Sequence, residues 1–356
     1  MTFYQELQLN QSGSKNLIKN SPTRREKWIH TLIYFFKIAI TMVFCFFFVA
    51  GFSMIFGNDN SVAGVVILLC VMVFRFADFD VSLSESIGLL SLFFTLMIVS
   101  PHAAHLFGPI VGLVINLISL LLIMLLGCHN PSVANQSTLV LGYLLLYGYD
   151  VSGHSYLLRS LGLLAGGIAT IIIFYRNHRK KVYWKHIKDL LAEFSLTSET
   201  SRWQLSLVLC VCIVVCLSEL LQIPRAMWGG IAAMSTVLPV ISNMKPRIRD
   251  RIIGNVCGGL CFLMLYFTLP PSIYAYIGVI GGIGVGLSVQ YGWQAVFNTF
   301  GALAIATEAF GLKEAISLRV FQNIFGALMA LLLCHFFNHL FTRLTADKKT
   351  PESIGE

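Results

Sequence analysis

GPIVGLVINLISLLLIMLLGC, residues Gly108–Cys128, runs for 21 residues without a charge. At 1.5 Å per residue a helix of this length crosses the ~30 Å hydrocarbon core of a bilayer. Working outward, apolar runs fall near 30–56, 61–77, 84–100, 137–150, 156–175, 203–222, 226–242, 250–269, 272–289, 292–310 and 316–341. The 356-residue chain is 56% apolar and 12% charged, with a mean hydropathy of +0.76. Soluble domains carry about 25% charge. Twelve crossings of about 20 residues take up about 240 residues, which leaves no room for an appended globular enzyme. The expected fold class is therefore all-α: a polytopic membrane protein of about twelve transmembrane helices.

Lysine and arginine set the orientation, because cytoplasmic loops retain positive charge during insertion. With twelve spans and an internal N-terminus, 20 of the 25 basic residues fall in inside loops, among them Lys15, Arg24, Arg179, Lys181, Arg202, Lys245, Arg247, Arg251, Lys348 and Lys349. Only Arg159, Arg225, Lys313 and Arg319 fall at outer ends, and Lys37 lies within the first span. The expected location is a bacterial inner (plasma) membrane, multi-pass, with both termini cytoplasmic. The net charge of +8 is spread over short loops and forms no nucleic-acid footprint. The basic start precedes an apolar run too long for a signal peptide and lacks an A-x-A site, so it is expected to be retained. Most of the nine cysteines lie in apolar runs and frame no exterior loop, so they are expected to pack rather than to form disulfides or bind metal.

An internal repeat divides the chain. A shift of 166 residues carries Gly64 to Gly230 and Gly88 to Gly254; a shift of 160 carries Arg159 to Arg319 and Gly166 to Gly326. Six spans per half is an even number, so both halves enter from the same side. Two parallel six-helix repeats follow, related by an axis along the membrane normal. The expected segments are a cytoplasmic N-terminal segment 1–29, a first repeat 30–176, a basic linker 177–202, a second repeat 203–341 and a cytoplasmic tail 342–356. Within the linker, Trp184, Ile187, Leu191 and Phe194 share one face of an expected amphipathic helix.

The stretch Ile223–Leu260 has an outer-end tryptophan, an apolar span closing at a proline, a short basic loop and then R-I-I-G-N-x-x-G-G. This resembles the repeated core of the fusaric acid resistance family, also called the aromatic acid exporter family. Its plant relatives in fold include the aluminium-activated malate transporters. Trp228, Pro239, Arg247, Arg251, Gly254 and Gly258 carry the resemblance, and Arg319 with Gly326 match the arginine-then-glycine of the last span. In the first half Gly88 persists, but Glu85, Val62 and Val73 stand where Arg251, Trp228 and Pro239 stand in the second. The resemblance implies efflux of small organic anions, including aromatic carboxylates, and no enzymatic activity. It also makes Trp228 a candidate substrate contact.

A guanidinium inside the end of a span must pair, snorkel or face water. Its planar fork suits a carboxylate, so Arg319, Arg159 and Arg251 are candidate substrate-binding residues. The alternative is that they snorkel or pair with acids such as Asp150 or Glu314. Glu308 and Asp150, late in their spans, are candidates for proton coupling, against a purely interfacial role. The glycines Gly278, Gly281, Gly282, Gly284 and Gly286 lack the flanking strand and Lys-Ser/Thr of a phosphate loop, and are expected to let helices approach. No cofactor and no metal site is expected; His335 with His339 and His102 with His105 lack a third ligand. The expected partners are an organic anion, protons and the lipid bilayer, with a periplasmic adaptor or a homo-oligomer as further candidates. A passive organic-anion channel and a non-transporting subunit of an envelope complex are the alternatives to proton-driven export.

Overall fold

In the computed structural model, which describes residues 2–346, each of the twelve apolar runs is helical and no strand occurs among the described residues. The helices are α1 (Phe3–Leu7), α2 (Gln11–Lys19), α3 (Arg24–Phe56), α4 (Ser61–Phe74), α5 (Leu83–Leu106), α6 (Gly108–Gly127), α7 (Gln136–Gly148), α8 (Gly153–His178), α9 (Ile187–Ala192), α10 (Glu199–Leu220), α11 (Ala226–Thr236), α12 (Met244–Thr268), α13 (Ile277–Leu287), α14 (Tyr291–Phe310) and α15 (Leu312–Ala346). Among the described residues seven helices are long and apolar enough to cross a bilayer unaided: α3, α5, α6, α8, α10, α12 and α15. This is a multi-pass membrane protein. The end of the expected tail, residues 347–356 with Lys348 and Lys349, lies outside the described residues.

Several boundaries differ from the sequence expectation for local reasons. The first long helix starts at Arg24, inside the segment 1–29, because the Thr23 hydroxyl accepts from the Glu26 amide. Helix α5 continues through Pro101 to Leu106, so His102 and His105 sit on a helix and not in a loop. Gly108, with φ of +77°, makes the turn into α6, and Pro109 occupies its first turn.

The linker is not one amphipathic helix. Residues 181–186 are non-helical, α9 is only six residues long and Trp184 is 87% exposed. The cause is a competing set of bonds. The Lys181 ammonium and the Tyr183 hydroxyl reach Asp78 Oδ2 at 3.0 and 3.2 Å, the Ser82 amide donates to Lys185 O, and the Ile187 amide donates to Glu85. Burial and the adjacent Asp78 carboxylate push the Tyr183 phenol well up.

The chain forms two compact units, each built from two separate stretches of the sequence. One comprises the residues up to Phe47 with Pro246–Asn323; the other comprises Phe48–Lys245 with Ile324 onward. In the first unit α13 packs on α14, and its glycines lie against neighbours: Gly281 and Gly284 on Phe297, Gly282 on Met42 and Gly286 on Ile38. The N-terminal helices fold onto α3. Glu6 meets His30 at 2.8 Å, and Lys37 donates to Leu9 O and to the Ser14 hydroxyl. Lys37 thus bonds to the N-terminal segment.

In the second unit the 13-residue α7 packs against α4, α5, α6 and α11. Leu139, Val140, Tyr143, Leu144, Leu146 and Tyr147 on it are fully buried. At about 20 Å it is shorter than the hydrocarbon slab, so its ends are satisfied by protein. Asn135 donates to Gly127 O and Asp78 O at one end, and Tyr149 O accepts from Arg159 at the other.

Helices α15 and α11 approach to backbone distance, since a Cβ at position 326 would lie 2.2 Å from the carbonyl oxygen of Gly229. Gly326→Ala must therefore move backbone, and is expected to cost about 1–3 kcal/mol. Gly301→Ala, on α14 with open space around it, gains helix propensity at no steric cost. Thermal melting in detergent should show the first variant clearly lowered and the second level with or above the parent.

Candidate functional site

Two buried polar clusters stand out, one in each unit. In the first unit they begin with α12, whose glycines admit α14 to backbone distance: a Cβ on Gly254 would lie 2.7 Å from Gly292 O, and one on Gly258 would lie 2.6 Å from Val296 O. This approach brings polar side chains of three helices together. Arg251, 6% exposed, donates through Nε to Asn323 Oδ1 at 3.0 Å and through Nη1 to the Tyr291 hydroxyl at 2.8 Å. Asn323 donates to Arg319 O, Asn255 donates to Arg251 O, and the Thr299 hydroxyl donates to Asn255 Oδ1. The Arg247 guanidinium stacks 3.4 Å from the centre of the Tyr291 ring. Arg319 and Gln322 are buried on α15 beside them in sequence.

Arg251 thus sits in a membrane helix with a neutral asparagine and a neutral phenol among its partners, and hydrogen bonds from such groups lower the cost of burying a guanidinium.

In the second unit Arg159, 3% exposed, is held differently. Its Nε donates to Asn60 Oδ1 at 3.0 Å, Nη1 to Tyr149 O at 2.6 Å and Nη2 to Asp59 O at 3.1 Å. These oxygens lie in the loop before α4 and the loop before α8, so the guanidinium ties the two together. Its hydrogen bonds go to carbonyl groups. Asp150 pairs instead with His102, whose Nδ1 lies 2.9 Å from Oδ2, and His102 stacks on Tyr156. His105 Nε2 lies 2.7 Å from Tyr147 O.

Trp228 is buried in the first turn of α11, one residue before the Gly229 carbonyl that faces Gly326. Glu308 is exposed near the end of α14. Arg251 and Arg319 are linked through Asn323, which accepts from the Arg251 guanidinium and donates to the Arg319 backbone carbonyl.

Sequence inspection missed Asn323, Tyr291, Asn255 and Thr299, because isolated neutral polar residues in apolar runs carry no periodic signal. It also missed Glu219 on α10, whose carboxylate accepts from the Tyr147 hydroxyl, and Asn116, which accepts from Tyr143. A lone glutamate inside an apolar run is the one mark that pointed to such a group.

Residues 199–333 match the family described as fusaric acid resistance protein-like. No curated protein and no solved structure matches the chain. The matched segment contains the whole first-unit cluster, from Arg247 to Asn323, together with Trp228 and Glu308; Arg159 and Asp150 lie outside it.

One histidine outside the spans gives a pH test. His129, after the end of α6, has both ring nitrogens buried without a hydrogen-bond partner among the described residues. Burial holds its pKa below the usual histidine value; Lys185 acts in the same direction, and Asp80, Glu193 and Asp78 oppose it. The unfolded chain takes up this proton near pH 6.5 and the folded one only at lower pH. Stability is thus present above about pH 6.5 and lost as pH falls through the folded value, at up to about 1.4 kcal/mol per pH unit. Melting temperature should fall between pH 7.5 and 5, and His129→Gln should flatten part of that decline. Identical declines would clear His129.

Proposed function

We propose that the protein exports small organic carboxylates, aromatic ones among them, driven by the proton gradient across a bacterial inner membrane. The family match supports a transporter-type role. The observation that carries the substrate class is Arg251: a guanidinium 6% exposed in a membrane helix, bonded to a neutral asparagine and a neutral phenol. A transported carboxylate would meet its planar fork bidentately. Arg319, one helical turn before Asn323 on α15, acts on the same anion, and Trp228, in the second unit, is a separate candidate contact.

Proton coupling falls to Asp150, whose contact with His102 gives the proton two neighbouring sites. Glu308, being exposed, is the weaker of the two candidates.

The proposed architecture is twelve crossings in two parallel repeats with both termini cytoplasmic. Its support is packing as well as charge. Gly166 lies against Ile67 of α4, and Gly326 lies against Gly229 of α11. In each half the glycine that follows the span arginine thus meets the second span of that half. The four short helices would cross within a sheath of longer ones, as interrupted helices do in transporters.

Proteoliposomes loaded with benzoate, with and without an imposed pH gradient, test the proposal. Accumulation against the benzoate gradient that vanishes when the pH gradient is collapsed is expected. Downhill flux indifferent to pH would instead identify a passive channel. Arg251→Gln and Arg319→Gln should each cut flux at least tenfold at unchanged expression, and full flux in either would remove that residue from the mechanism.

A further inference from the structure

The first unit contains a groove of about 590 Å³ that shares no residue with the cluster around Arg251. Its walls come from opposite ends of that unit's sequence. On one side stand Ser12, Lys15 and Asn16 of α2; on the other stand Val289 and Gln290 of the α13–α14 connection and Trp293 in the first turn of α14. Asn10 opens α2, its side chain accepting from the Gly13 amide at 2.7 Å, and the helical period then puts Ser12, Lys15 and Asn16 on one face. The opposite wall is extended backbone, at Ser288 (φ −96°, ψ 119°) and Gln290 (φ −78°, ψ 137°). It is fixed by the Ser288 hydroxyl, which donates to Gly284 O, and by the Gln294 amide, which donates to Ser288 O. Gln11 Nε2 holds α2 to the far wall through Val285 O at 3.2 Å.

Lys37 sets the depth of this groove. From Lys37 to its end at Phe56, α3 runs about 30 Å, the thickness of the hydrocarbon core. Lys37 donates to Leu9 O and to the Ser14 hydroxyl, so α2 lies level with the edge of the hydrocarbon, where lipid headgroups are. Trp293 and Val289 are exposed at the same groove, 58% and 42%, and tryptophan is favoured at this depth.

The polar side chains of the groove are unspent. Ser12, Lys15, Asn16 and Gln290 are exposed, and none of their side chains makes a hydrogen bond or ion pair among the described residues. No lining residue is acidic. A phosphodiester, with one charge and several acceptor oxygens, matches a single ammonium surrounded by hydroxyl and amide donors. The apolar part of the same molecule matches Trp293 and Val289.

We propose that this groove binds the headgroup of an acidic phospholipid, with Lys15 on the phosphate and Trp293 against the glycerol and the first acyl methylenes. Charge selects the acidic class. Lys15, Lys19, Arg24, Arg25 and Lys27 stand against Glu26 and a Glu6 already paired with His30, so the ammonium of a zwitterionic headgroup finds no counter-charge in the groove. The convergence of two distant stretches of chain on one headgroup separates Lys15 from a charge that serves insertion alone. The inference is independent of which solute the protein carries.

Tryptophan quenching in reconstituted vesicles tests it. The full-length protein is placed in phosphatidylcholine with a minor fraction of phosphatidylglycerol, and the bromine label is carried by one lipid or the other. The quenching that Trp293→Phe removes reports the groove alone among the five tryptophans. Acidic lipid should occupy it about fivefold more readily than zwitterionic lipid. Lys15→Gln, and Ser12→Asp, which puts a carboxylate into the groove, should each bring that ratio to about one, while Lys15→Arg keeps it.

Equal quenching by the two lipids, or a preference that survives in Lys15→Gln, overturns the site. Inorganic phosphate that relieves quenching by the acidic lipid more than chloride does at equal ionic strength would identify a free-anion site and overturn the lipid assignment. Quenching indifferent to phosphate supports it. None of these outcomes depends on benzoate flux.

Discussion

A peptide group inside a bilayer has no water to bond, so every amide and carbonyl must find its partner within the protein. Long helices meet this condition alone, and α3, at 33 residues, turns phenylalanines such as Phe35, Phe36 and Phe47 outward. The short helices cannot. Eleven residues in α11 and thirteen in α7 span roughly 16–20 Å, less than the hydrocarbon thickness. They exist because neighbours bury them, and that requires small residues where backbones meet. Gly326 against Gly229, and Gly254 against Gly292, are places where a methyl group has no room.

The same accounting explains how the buried arginines differ. Arg159 meets two backbone oxygens of connecting segments and the Asn60 side chain, so it satisfies backbone groups and ties two connections together. Arg251 meets side chains, each of which occupies a position that an apolar residue would fill more cheaply. Asn323, Tyr291, Asn255 and Thr299 form a chain of donors and acceptors across α12, α14 and α15. For stability alone, an aliphatic core would serve at least as well as such a network.

The helical character of the chain was legible from charge spacing alone, because the absence of charge over about 20 residues has one common physical cause. The ends of the helices were less so. A capping hydroxyl at Thr23 and a tolerated proline at Pro101 are single-residue effects that a hydropathy window averages away. The linker was read wrongly for a different reason. Trp184, Ile187, Leu191 and Phe194 have helical spacing, yet Asp78, Ser82 and Glu85, a hundred residues earlier, bind the same stretch and hold it extended. Periodicity carries no information about such distant partners.

Charge in an inner loop is the hardest signal to interpret, since insertion already accounts for it. Arg202 and Arg249 contribute equally to orientation. Arg249 lies exposed beside Asp250, whereas Arg202 keeps its Nε buried and donates to Thr197 O. The difference between them is set by what packs alongside, and therefore by residues far away in sequence. Topological charge and functional charge become separable only when burial is known: a cation needed for orientation alone has no reason to give up water, and one that does so must gain an acceptor in return.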